Sequence, residues 1–189
     1  MSQNHEEWFD VVNERDEVVG RKLRRDVHAH GWLHRAVHVL VFNPAGQVFL
    51  QKRSMTKDMS PGLWDSSCSG HLDAGEDYDM AAWRELQEEI GLKVEPVAEA
   101  NNRGVGAPRP QLRRWLRVEV CEATGQEFVW VYRVEAEGPF TLCPDEIERG
   151  EWLAPDELNR RIAIRPGDYC PAFKLVWSLV QAGKAGRES

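Results

Sequence analysis

The chain has 189 residues and a mass of 21.6 kDa, with 42% hydrophobic and 29% charged residues. Those proportions exclude a collagen, a coiled-coil rod and wholesale disorder, and the length suits one domain with short decorations. The net charge of −7, from 31 acidic and 24 basic residues, argues against a nucleic-acid polymer as partner but leaves room for a small phosphorylated ligand bridged by cations.

The longest apolar run, Val37 to Phe42, is interrupted by His38, so no membrane span is expected. Met1 to Asp10 lacks the apolar core of a secretory peptide. The four cysteines, Cys68, Cys121, Cys143 and Cys170, form no CxxC pair, which speaks against a zinc ribbon. Free thiols in a reducing cytoplasm are the expectation.

Residues 1–7 read as a polar tail. Trp8 to Val12 and Glu17 to Gly20 read as a hairpin turning at Asn13 to Asp16, and Arg21 to Gly31 as a connection. His34 to Phe42 and Gln47 to Lys52 are strands joined by Asn43-Pro44-Ala45-Gly46, in which Pro and Gly suit the turn positions they hold. Ser54 to Gly62 is a loop, and Leu63 to Ser69 a short extended piece. Asp77 to Ile90 is the clearest helix, with Asp77 as N-cap, Gly91 past its end, and Ala82, Leu86 and Ile90 as its buried stripe. Lys93 to Ala98 reads as a strand and Asn101 to Pro110 as a loop. Leu116 to Cys121, Glu127 to Val134 and Ile147 to Leu153 read as strands, and Asp156 to Ile162 as a short helix. A terminal helix is expected from Pro171 to Ala182, with Gly183 beyond it. Strands and helices mix without strict βαβ alternation, which predicts an α/β (α+β) fold with a mixed sheet packed between helices.

Chemistry concentrates on the clearest helix. At about 100° per residue, Glu89 lies about 40° from Glu85, and Glu88 about 60° to its other side. Three carboxylates on one face repel each other, and Arg84 offsets only part of that by pairing with Glu88 one turn on. The excess suits a hard divalent cation such as Mg²⁺, which is typically shared between carboxylates and a substrate phosphate.

Gly70, Glu76, Arg84-Glu85, Glu88-Glu89, Gly91 and Leu92, with their spacing, resemble the Nudix box in full. The resemblance implies an α/β/α sandwich carrying a catalytic loop–helix–loop. It implies hydrolysis of a phosphoric anhydride in a nucleoside diphosphate linked to another moiety, with Mg²⁺ or Mn²⁺. It makes Glu85, Glu88 and Glu89 the metal ligands, joined by the Ser69 carbonyl, and gives Gly70, Glu76, Arg84 and Gly91 a structural role. The expected partner is a small diphosphate, and the family often dimerises. The domain should span residues 32–183, with residues 1–31 as a tail and hairpin packed on it and residues 184–189 as a disordered tail.

A second resemblance, carried by Trp8 to Gly20, Leu33-His34-Arg35-Ala36, Gln51-Lys52-Arg53-Ser54, Pro61-Gly62-Leu63-Trp64 and Gly70-His71, is to isopentenyl-diphosphate isomerase and to hydrolases sharing its framework. The isomerase places a cysteine directly before the box glycine. Here Ser69 holds that position and Cys68 sits one step early, where the side chain of an extended segment turns to the other face. Hydrolysis is therefore the leading reading, with isomerisation and nucleotide sensing without turnover as alternatives. By the same resemblance Glu127 matches the isomerase's second essential residue, and would serve as a further ligand or as base for the attacking water. The isomerase also builds a metal site from histidines matching His34 and His71, with a third near His28. Lys52, Arg53 and Trp64 are the candidates for binding substrate.

Overall fold

A computed structural model describes residues 7–94 and 110–185 of the chain. Trp8–Val12 (β1) and Val18–Leu23 (β2) pair as an antiparallel hairpin. Asn13 closes it, its Oδ1 accepting from the amides of Arg15 at 2.9 Å and Glu17 at 3.1 Å. Arg24–His30 is a helix (α1), where the sequence suggested an irregular connection. It lacks a capping side chain and buries only Val27, so no apolar period marks it.

The sheet is built on His34–Phe42 (β3). Val37, Val39 and Val41 point to one side, and Ala36, Leu40 and Phe42 to the other, so two cores form back to back across one strand. On one edge β3 pairs in parallel with Glu127–Glu135 (β8), in register from His34↔Glu127 to Phe42↔Glu135. Its other edge is divided. Val41 and Phe42 pair with Val48–Arg53 (β4), while Ala36 to Val39 pair with Cys68–His71 (β6). Strand β4 leans away to pair with Trp64–Asp65 (β5) and Ile147–Leu153 (β9). Arg113–Val118 (β7) closes the far edge against β8.

Tyr78–Ile90 (α2) covers one face through Ala82, Leu86 and Ile90. Pro155–Ile164 (α3) and Pro171–Ala185 (α4) cover the other through Leu158, Phe173, Val176 and Val180. The result is an α/β/α sandwich with a mixed sheet. Helix α4 runs through Gly183, which the sequence placed beyond its end. Strand β7 lies ahead of the expected Leu116 to Cys121, because an edge strand carrying Arg113 and Arg114 shows no alternating apolar signal. Residues 95–98 of one expected strand, residues 101–109 of the expected loop, and most of both expected tails lie outside the described residues. Among the described residues no helix is long and apolar enough to cross a membrane.

Candidate active site

Helix α2 begins where Asp77 accepts from the Met80 amide at 2.9 Å and ends where Gly91 adopts φ 68°. Both ends are fixed by local chemistry, which sets the helix against β6. Arg84 ties the loop before the helix to the helix itself. Its guanidinium donates to both oxygens of Glu76, at 3.0 and 2.8 Å, to the His71 carbonyl at 2.9 Å and to Glu85 Oε1 at 2.8 Å. Glu76 Oε2 also accepts from the Asp73 amide at 3.0 Å. Glu76→Gln is therefore expected to cost about 2 kcal/mol, since charge-assisted bonds contribute about 1.5–3 each. A thermal melt checks this as a fall of roughly 4–8 °C.

Glu85 and Glu89 are buried, whereas the Glu88 side chain is 56% exposed and contacts Arg84 at 3.3 Å. Burial raises the proton affinity of the Glu89 carboxyl, and the neighbouring Glu85 raises it further. Burial likewise raises that of Glu85, against the pull of Arg84. Glu89 Oε2 accepts from the Ser69 amide at 3.1 Å and from Gln51 Nε2 at 3.0 Å.

These carboxylates open into a cavity of about 950 Å³. His28, His71 and Glu127 also line it and, with the buried His34, form a second cluster that unites distant parts of the chain. His28 comes from α1, His34 from the start of β3, His71 from the end of β6 and Glu127 from the start of β8. The three imidazoles each offer a nitrogen within 4.8 Å of the others. His71 Nε2 bonds Glu127 Oε1 at 3.0 Å, and His34 Nε2 lies 3.3 Å from the same oxygen. Phe9 of β1 stacks on His71 and His34. Burial pushes the His71 imidazole down to about 3 and also lowers His28, which favours the neutral ring. Burial alone would raise the Glu127 carboxyl, but the facing His71 and His34 rings hold it well below the usual carboxylate range.

Both donor sets fit metal ions. Three carboxylates on one helix face offer hard oxygens suited to Mg²⁺ or Mn²⁺. His28 Nε2 is buried without a hydrogen-bond partner among the described residues, and His34 Nε2 meets only Glu127 Oε1, which suits imidazole ligands of a softer ion.

The substrate-binding candidates separate. Arg53 lines the cavity, donating to Asp65 Oδ2 at 3.0 Å and to the Met59 carbonyl at 3.1 Å. Lys52 does not line it and pairs with Glu148 at 3.7 Å. Trp64 lies under the Arg149 guanidinium and packs against the α4-side core. The cavity instead gains Arg24 and Lys57, the latter paired with Glu146. Arg24 belongs to the run Arg21 to Arg25, four basic residues in five, which on sequence alone suits a solvated face, and Lys57 sits in a polar loop. Cys68 faces the α2-side core, and burial raises its thiol well above its ordinary value. Ser69 turns its hydroxyl to Asp65 at 3.4 Å.

The family model described as NUDIX domain matches residues 32–173. An uncharacterised Nudix hydrolase of Yersinia pestis is 32% identical over 169 residues, covering 89% of this chain and 85% of that protein. A crystal structure from Deinococcus radiodurans superposes with a TM-score of 0.69 at 32% identity, covering 84% of this chain and 90% of that one. An isopentenyl-diphosphate isomerase of Pectobacterium atrosepticum is 29% identical over 171 residues, covering 90% of this chain and 89% of that protein. The box on α2, the sandwich that supports it and these likenesses together show that the chain belongs to the Nudix hydrolase family.

Proposed function

We propose that the chain hydrolyses a phosphoric anhydride in a diphosphate that links a nucleoside to another moiety, using Mg²⁺ or Mn²⁺ held by Glu85, Glu88 and Glu89. The observation that carries this reading is the convergence of two buried carboxylates and a third at the rim on one cavity wall. A divalent ion bound there neutralises phosphate charge and activates water. Glu85 and Glu89 are the fixed ligands, one held by Arg84 and the other by Ser69 and Gln51, and Glu88 completes the set from the rim. The water oxygen bonds to phosphorus, the bridging P–O bond breaks with the leaving phosphate taking its electron pair, and the water proton passes to a cavity carboxylate, Glu88 or Glu89 in the box or Glu127 of β8. Arg53 and Lys57 supply positive charge for the phosphates. A cytoplasmic location belongs to the same reading, supported by four unpaired cysteines.

The histidine cluster with Glu127 belongs to this proposal as a second, softer metal centre. Protein purified without added metal is expected to carry a transition metal that His34→Ala loses, as elemental analysis will show. Metal-free wild-type protein would remove the second centre. Allylic isomerisation is not favoured, because the position before Gly70 presents a hydroxyl and Cys68 is in the core. Phosphate release from a nucleotide panel and an allylic diphosphate, with Mg²⁺ and Mn²⁺ compared, tests the reaction. Release from no member of the panel would defeat it.

A further inference from the structure

Strand β4 turns Phe49 toward the α2-side core and, two residues on, Gln51 to the same face. Gln51 is only 1% exposed. A side-chain amide is costly at such a position unless it is hydrogen-bonded. Its Nε2 donates to Glu89 Oε2 at 3.0 Å, and the Ser69 amide donates to that same oxygen at 3.1 Å. Two N–H groups from two different strands thus occupy one oxygen of Glu89. They leave Oε1 as the oxygen for the cavity.

We propose that Gln51 is a positioning residue for the metal centre, aiming Glu89 so that it offers a single, fixed oxygen. This rests on the reading of Glu89 as a metal ligand. The centre then extends beyond the box. Helix α2 supplies the carboxylates, β6 supplies one clamp through a backbone amide, and β4 supplies the other through a side chain. The Ser69 clamp survives any substitution at its own position except proline, because it is a backbone amide. The Gln51 clamp depends on the side chain, so it can be tested by mutation. Outer-shell donors of this kind typically change metal affinity or activity about 10–100-fold when removed.

Gln51→Leu keeps the bulk and deletes the donor. Gln51→Asn keeps the amide but falls about 1.5 Å short of Glu89. Each variant is titrated with Mn²⁺, following free Mn²⁺ by electron paramagnetic resonance. The titrations run in the wild-type background and in a His34→Ala background that removes the histidine cluster's contribution. Both variants are expected to stay folded and to bind at the box about tenfold more weakly than their parent, the metal-free proteins melting below the parent because a buried bond to Glu89 is lost. In turnover, the Mn²⁺ concentration for half-maximal rate should rise by a similar factor while the KM for substrate stays put. A folded Gln51→Leu or Gln51→Asn protein that binds Mn²⁺ as tightly as its parent overturns the proposal and leaves the metal reading standing. A wild-type protein that takes up no Mn²⁺ at the box overturns both.

Discussion

Replacing Glu89 by glutamine is expected to cut turnover about 10²–10³-fold while making the metal-free protein more stable. The first effect is the usual size for removing one preorganised electrostatic group from an active site. The second follows from burial. Glu89 is 3% exposed and sits beside buried Glu85, so its negative charge is both desolvated and repelled. Glutamine has nearly the same shape, and its oxygen still accepts from Ser69 and Gln51. Glutamine carries no charge to desolvate or repel, so the folded protein is relieved of that cost. A melt in the presence of chelator should therefore rise by roughly 2–4 °C for each kcal/mol regained. Initial rates in saturating Mg²⁺ measure the other half. Wild-type turnover in the variant would remove Glu89 from the site, and a lower melting temperature would show that the carboxylate is stabilising after all. Such opposed effects mark a functional group kept against the interest of the fold.

The other large effect belongs to Gly70→Ala. A methyl group there would overlap the Glu85 carboxylate. The obstruction is the far end of a flexible side chain, so the backbone of β6 need not move and the fold should survive. Glu85 cannot yield so freely in function, because Arg84 holds it in the ligand position. Misplacing such a group by about 1 Å can cost 10²-fold in rate. The expected result is a folded protein with normal circular dichroism and a rate reduced about 10²-fold or more. An alanine variant of full activity would mean that Glu85 works from elsewhere.

The box could be read from the chain because its parts are contiguous and a helix of known rise arranges them. Asp77, Gly91 and the three glutamates lie where the spacing puts them. The histidine cluster was less legible, since it depends on the register in which β3 meets β8. Only that parallel pairing sets Glu127 directly beside His34, and nothing local to either strand encodes it. His28 was harder still, because it rides on α1, a helix without cap or apolar period. Gln51 did leave a trace, as a polar residue on the inward step of an apolar strand, but its partner lies on a helix far along the chain. The residues around Lys52 show the converse. A basic pair at a strand end looks equally suited to phosphate on both members, yet alternation sends Arg53 inward and Lys52 out to Glu148.

The long parallel pairing of β3 with β8 bears on how the protein comes into being. Segments far apart in sequence must meet before that pairing can start, and the entropy of closing so large a loop makes this a late event in folding. Helix α2 and the Arg84–Glu76 strap use only near neighbours and can form early. The box helix and its strap can then be in place while the chain is still assembling, whereas the three imidazoles and Glu127 come together only once that long-range pairing has formed.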